Sequence, residues 1–126
     1  MPAHGTFVWN ELQTRDVERS KRFYADTLGW TYKAMPMADA GTYWIIRMGD
    51  AQVGGIFSIT DPMFDGIPEH WFAYIEMDDV DTRIKKIAGA GGVIHRPPFD
   101  IPNVGRLAIV ADSGGAVSGW MTSVRR

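Results

Sequence analysis

The chain repeats one pattern of residues at half of its length. Asp16-Val17 recurs as Asp79-Val80, 63 residues later, and Gly29 recurs as Gly92 at the same offset. An apolar stretch of the kind that forms strands precedes each Asp. Because 63 is half of the 126 residues, the sequence predicts two copies of one supersecondary unit, each about half of the chain.

Each predicted unit has the order strand, helix and three strands, which places the chain in the α+β class. Asp16 and Asp79, or Asp78 in place of Asp79, are expected to cap the two helices at their N-termini, and Gly29 and Gly91-Gly92 to end them. Short turns before the last strand of each unit predict antiparallel hairpins. The strands after the helices are predicted at residues 30–34, 42–48, 52–59, 93–96, 106–111 and 116–122.

The whole chain, residues 1–126, is predicted to be a single domain. The first module covers about residues 5–60 and the second about residues 70–126. Residues 61–69 are expected to link them, because this segment carries two prolines and a glycine. Pro97, Pro98 and Pro102 are expected to form a second rigid loop after the strand predicted at residues 93–96.

Composition and charge exclude several classes of function. Thirteen Lys and Arg against fifteen Asp and Glu give a net charge of −2, which argues against nucleic acid or an anionic membrane as partner. The chain has no cysteine, which excludes a disulfide framework and a thiolate-bound metal. The sequence contains neither the pattern of a signal peptide nor an apolar run of 18 residues, so we expect a cytoplasmic protein.

Several short segments, in this order along the chain, resemble one large protein family. They are Phe23-Tyr24, Leu28-Gly29-Trp30, Asp78-Asp79-Val80-Asp81 and Gly105-Arg106. With the twofold repeat, they make the chain similar to the vicinal oxygen chelate superfamily, the group of glyoxalases, bleomycin resistance proteins and extradiol dioxygenases. The resemblance implies two tandem βαβββ modules that form an open, curved, barrel-like sheet around a cavity.

Members of this superfamily usually bind a divalent metal through His and Glu side chains on facing strands. Counting from the helix caps and the hairpin turns, the resemblance places those four positions at Trp9, Ile56, Phe72 and Gly119. None of these residues is a metal ligand. We therefore expect no metal and no cofactor, and instead an apolar, aromatic-lined slot that binds a planar or hydrophobic small molecule.

Two polar residues share a strand face with the aromatic positions. Glu11 follows Trp9 by two residues, and Tyr74 follows Phe72 by two. In a partly dry cleft the Glu11 carboxyl is expected to have a raised pKa and to serve as general acid or base; the alternative is a solvated or Arg-paired carboxylate. Tyr74 is expected either to donate a hydrogen bond to a ligand or to pack at the rim.

Three functions remain open. The first is a binding protein without the usual metal, which sequesters its ligand or acts as a metal-free lyase or isomerase. The second is a metal-dependent lyase, isomerase or dioxygenase with displaced ligands, for example His70 with Glu11 or Glu76. The third is an interaction module with a filled core. The sequence leaves open whether any reaction is catalysed.

A homodimer is expected from the architecture. Two modules of about 60 residues leave sheet edges unpaired, and five Trp give more apolar surface than a chain of this size easily buries. Symmetric pairing would cover both.

Overall fold

The structure is a computed structural model that describes residues 2–37 and 41–124. Within these residues it has eight strands and two α-helices, so the α+β class is confirmed. The strands are β1 (Phe7–Thr14), β2 (Thr31–Met37), β3 (Gly41–Met48), β4 (Ala51–Ser58), β5 (His70–Glu76), β6 (Val93–Ile101), β7 (Gly105–Ala111) and β8 (Val117–Ser123). The helices are α1 (Val17–Leu28) and α2 (Val80–Ile84), with 3₁₀ turns at Pro62–Phe64 and Ala88–Ala90. Neither α-helix is long and apolar enough to cross a lipid bilayer.

The described chain divides into two compact units. One holds residues 9–71, and the other holds residues 2–8 together with 72–124. Residues 61–69 therefore belong to the first unit. The module boundaries predicted from the sequence, about 5–60 and 70–126 within one domain, stay a prediction.

The first unit is a four-stranded sheet with α1 packed on one face. The strand order is β2-β3-β4-β1, with β4 parallel to β1 and the other pairs antiparallel. Leu12, Ile46 and Ile56 form the buried core of this unit, and Val17 and Tyr24 of α1 pack against them. Burial of these side chains supplies most of the stability of such a unit.

The predicted caps of α1 are confirmed. The Asp16 carboxylate accepts a hydrogen bond from the Arg19 backbone N–H, 3.0 Å away. Gly29 ends the helix in the left-handed conformation, with φ 78°, which glycine adopts without steric cost.

The second unit repeats the architecture with a shorter helix. Its strand order is β5-β8-β7-β6, with β8 parallel to β5. The helix α2 covers only Val80–Ile84, and a 3₁₀ turn follows it. The left-handed residue that ends this segment is Gly91, with φ 87°, so it lies 62 rather than 63 residues after Gly29. Gly92 serves close packing instead, because a Cβ there would lie 2.5 Å from the Ala111 carbonyl oxygen.

The strand β6 extends further than its sequence predicts. We expected it to end at Arg96, before the two prolines, but it continues to Ile101. It pairs with β7 alone among the strands described, and its register shifts between Ile94 and Arg96 and again between Arg96 and Phe99. Proline lacks a backbone donor, so it is tolerated in a strand at an edge or a bulge, and both conditions hold here.

Candidate functional site

The first unit carries a buried polar network on the sheet face opposite α1. Leu12 faces the helix, so the alternation of β1 turns Glu11 and Gln13 to the other face. The strand pairing places Gly55 beside Glu11. Glu11 is 6% exposed and Tyr43, from β3, is 8% exposed. A carboxyl group and a phenol are thus held away from water in one place.

Hydrogen bonds connect these side chains in series. The Trp9 indole Nε1 donates to the Tyr43 hydroxyl oxygen at 2.8 Å, and the Tyr43 hydroxyl is hydrogen-bonded to Glu11. Because the indole can only donate, the Tyr43 hydroxyl accepts from Trp9 and gives its own hydrogen to the carboxylate. Gln13 Nε2 donates to Glu11 Oε2 at 2.9 Å. The Glu11 carboxyl group therefore accepts hydrogen bonds from two side chains of its own unit.

The environment keeps Tyr43 protonated. Burial raises the pKa of the Tyr43 hydroxyl far above its ordinary value, and the negative charge of Glu11 raises it further. Tyr43 therefore serves as a neutral hydrogen-bond donor at any physiological pH.

Glycine at position 55 makes room for this network. A Cβ on Gly55 would overlap the hydroxyl end of the Tyr43 ring. No sequence pattern singles out Tyr43. The Gly54-Gly55 pair was the available signal, since a buried glycine in a strand often marks the close approach of another group, but only the β3–β4 register shows which group approaches.

The second unit places aromatic rings over a glycine in a similar way. The rings of Phe72 and Tyr74 meet edge to face, with centroids 5.1 Å apart. The β5–β8 pairing sets Tyr74 beside Gly119, and a Cβ on Gly119 would overlap the Tyr74 ring. These three predicted site residues therefore lie together in their unit. That Trp9 and Phe72 line one cavity stays a prediction.

The fourth predicted position lies elsewhere. Ile56 is fully buried in the core against α1. Glu11 and Tyr74 differ by 63 residues, but their strand partners, Gly55 and Gly119, differ by 64. The second unit therefore has one more residue than the first between its two paired strands. Because side chains alternate between the faces of a strand, an offset of 63 from Gly119 selects Ile56, on the opposite face of β4. The counterpart of Gly119 is Gly55.

The residues at the positions that the resemblance assigns to a metal do not fit one. These positions hold Trp9, Phe72, Gly119 and either Ile56 or Gly55, and none of these side chains carries an oxygen or imidazole ligand. Across residues 2–37 and 41–124, no three His, Asp or Glu side chains gather closely enough to hold one.

The residues of the displaced-ligand alternative have other partners. Both carboxylate oxygens of Glu76 accept hydrogen bonds from Ser123, one from its backbone N–H at 3.0 Å and one from its hydroxyl. His70 Nδ1 lies 2.7 Å from the Pro68 carbonyl oxygen.

Known proteins with similar sequences identify the family. The model of the Glyoxalase/Bleomycin resistance protein/Dioxygenase superfamily matches residues 6–117. "Putative glyoxylase CFP32" of Mycobacterium tuberculosis (strain CDC 1551 / Oshkosh) is 40% identical over 113 residues, which cover 90% of this chain and 42% of that protein. "Anthracycline biosynthesis protein DnrV" of Streptomyces peucetius is 30% identical over 125 residues, which cover 90% of this chain and 46% of that protein. The chain thus spans less than half the length of these two relatives.

A relative of more similar length supports the same family, and two solved structures share the fold of this chain. A "Glyoxylase-like domain-containing protein" of Didymella fabae is 30% identical over 116 residues, covering 79% of this chain and 85% of that protein. The hypothetical protein BH1468 of Bacillus halodurans C-125 shares the fold with a TM-score of 0.73 at 10% identity, covering 97% of this chain and 96% of that one. Methylmalonyl-CoA epimerase of Mycobacterium tuberculosis shares it with a TM-score of 0.69 at 12% identity, covering 99% and 94%. This chain belongs to the Glyoxalase/Bleomycin resistance protein/Dioxygenase superfamily.

Proposed function

We propose that the chain binds a small planar or hydrophobic molecule on the sheet face that carries Trp9 and Glu11, without the metal site usual in its superfamily. The observation that carries the proposal is the buried network of Trp9, Tyr43 and Glu11. Removing a charged carboxylate from water costs free energy. A buried carboxyl group with its own hydrogen-bond donors, on the sheet face opposite α1, is typical of a ligand site rather than of a packing core.

The composition of that face supports a planar ligand. The Trp9 ring is half-buried and oriented by its bond to Tyr43. An indole fixed in this way offers a flat apolar surface for stacking. Phe72 and Tyr74 offer a second aromatic surface, in their own unit, beside Gly119. The name of DnrV places that relative in the biosynthesis of anthracyclines, which are planar fused-ring compounds.

Glu11 would supply the polar end of the site. Tyr43 and Gln13 donate to its oxygens, and in the proposed complex the carboxylate also accepts a hydrogen bond from a ligand O–H or N–H. In a metal-free lyase or isomerase, the same oxygen would remove a proton from the substrate as general base.

A fluorescence screen tests the proposal. A library of planar aromatic compounds is titrated against the intact chain, and quenching of indole emission is followed for the wild type and for Trp9→Phe. Trp120→Phe is the matched control, because Trp120 packs against the core of the other unit. We expect ligands whose quenching is lost in Trp9→Phe and kept in Trp120→Phe.

A truncation measures the contribution of the indole. Trp9→Ala should weaken binding by on the order of 1–3 kcal/mol while the fold survives. If Trp9→Ala unfolds the chain, or if no compound quenches Trp9, the ligand-binding proposal fails. Glu11→Gln separates binding from chemistry, because it keeps the shape of the side chain and removes the base.

We also propose that the chain is a homodimer. The strands β2 and β6 each pair with only one other strand among those described, and β6 exposes Val93 and Ile94. Pairing with a second copy would cover such an edge. Sedimentation at micromolar concentration should give about twice the 14.1 kDa mass of the chain; a single-chain mass would refute the dimer.

A cytoplasmic location, with neither nucleic acid nor membrane as partner, completes the proposal. The net charge of −2 supports it, because both partners attract concentrated positive charge. Cell fractionation tests the location. Retention on heparin or on anionic vesicles at physiological salt would contradict the choice of partners.

A further inference from the structure

A pocket lies on the helix-bearing side of the first unit. It has a volume of about 350 Å³ and lies between α1 and the beginning of β5. The buried residues Leu12 and Ser20 contribute to its lining. Leu12 faces α1 whereas Glu11 faces away from it, so this pocket is separate from the site proposed above.

Aromatic rings form much of its lining. Phe23, Tyr24 and Trp71 line the pocket, and Trp30 stacks on Tyr24 with ring centroids 4.9 Å apart. Trp71 meets Tyr24 edge to face at 5.7 Å. Phe23 is 57% exposed and Trp71 is 42% exposed. Partly exposed rings held by one another in a concavity offer preformed faces for a flat apolar group.

The pocket has more hydrogen-bond donors than acceptors. Arg19 uses only Nη2, which donates to both carboxylate oxygens of Glu69 and to the Thr14 hydroxyl. Its Nε and Nη1 groups have no acceptor among the described residues. The Tyr24 hydroxyl accepts from the Trp71 indole at 3.3 Å, and its own hydrogen has no acceptor in residues 2–37 and 41–124. Both oxygens of Glu69 already accept donors, so the further donors of Arg19 and Tyr24 are open to an incoming acceptor.

We propose that this pocket binds a small aromatic carboxylate. Its ring would lie against Phe23 and Trp71, and its carboxylate would accept a charge-assisted hydrogen bond from Nη1 of Arg19. The Tyr24 hydroxyl provides a further donor. The proposal does not depend on the site around Glu11.

Titration of the ¹⁵N-labelled intact chain with 2-naphthoate tests it. The indole N–H resonance of Trp71, assigned with Trp71→Phe, is the readout. We expect saturable shifts of this resonance and of the backbone amides of residues 19–24. The neutral isostere 2-naphthamide should bind at least about fivefold more weakly, because it cannot form the charged pair with Arg19. Equal binding of acid and amide, or no shift with millimolar 2-naphthoate, would overturn the proposal.

Three variants locate the charge that is responsible. Arg19→Gln should reduce the affinity for naphthoate to that for the amide, whereas Arg22→Gln, on an exposed part of the same helix, should leave it unchanged. Glu69→Gln should tighten naphthoate binding severalfold, because it removes the charge that competes for Arg19. Weaker binding in Glu69→Gln, or equal losses in both Arg variants, would contradict the assignment. Phe23→Ala removes an exposed ring without disturbing the core and should also weaken binding.

Discussion

At the scale of single residues, Gly55 and Tyr43 form a matched pair. The Tyr43 phenol occupies the space that a side chain at position 55 would need, and from there it connects Trp9 to Glu11. The polar network therefore depends on a residue that has no side chain.

Substitution at the strand glycine tests this dependence. Gly55→Ala forces the Tyr43 ring to move and should destabilise the chain by about 1–3 kcal/mol. Gly89→Ala is the matched control, since a Cβ at Gly89 meets nothing within 4 Å, and it should change stability by less than about 0.5 kcal/mol. Urea unfolding measures both variants. Equal stability of the two would show that Tyr43 does not need the space at Gly55.

The sequence indicates some of the candidate site residues and not others. Strand alternation suggests Trp9, Glu11, Phe72 and Tyr74 as candidates from the sequence alone, and their role in a site stays a prediction. Tyr43 was missed, and Ile56 was chosen where Gly55 belongs. Both errors concern register between strands, which depends on turn length and bulges that single-strand patterns do not contain.

At the scale of elements, the two helices differ in how well the sequence defines them. The helix α1 has a side-chain cap and a glycine stop and extends over twelve residues. The helix α2 begins at a similar Asp cap but has only five residues before the chain changes to a 3₁₀ turn. The sequence contains the caps of both helices, whereas the early end of α2 has no cap that would indicate it.

Ion pairs connect α2 to the sheet of its unit. Arg106 of β7 donates to both carboxylate oxygens of Asp81 in α2, at 2.6 and 3.1 Å, and also to Asp100 in β6. Its guanidinium lowers the pKa of the Asp81 carboxyl below the ordinary 3.8. Arg106 therefore holds three elements together through charge.

This pair predicts an acid-dependent loss of stability. Because the pKa of Asp81 is lower in the folded state, its stabilisation is complete above about pH 3.8 and is lost as the pH falls below that value. Arg106→Gln should reduce stability at pH 7 more than at pH 3, measured by urea unfolding at both values. Arg22→Gln, an exposed control, should give no such difference. An equal loss at both pH values would mean that Arg106 acts through packing rather than charge.

At the scale of the whole chain, family membership and reactivity are separate matters. The repeat, the order of elements and the relatives establish the superfamily. The chemistry usual in that superfamily needs a metal held by His and Glu, whereas the positions that the resemblance assigns to the metal carry neither residue here. Membership of the superfamily therefore does not by itself define the reaction.

Metal analysis tests this reading. We predict substoichiometric Zn, Ni, Mn and Fe in the purified chain, measured by plasma mass spectrometry without chelators. One ion per chain, lost in Glu11→Gln or His70→Ala, would instead support the displaced-ligand enzyme.

The most direct test of the central claim is a crystal structure of the chain with the tightest compound from the fluorescence screen. The account predicts that the ligand contacts the Trp9 ring and lies within hydrogen-bond distance of Glu11. A ligand bound only in the Arg19 pocket, or a Trp9 side chain packed in a core that no ligand enters, would contradict it.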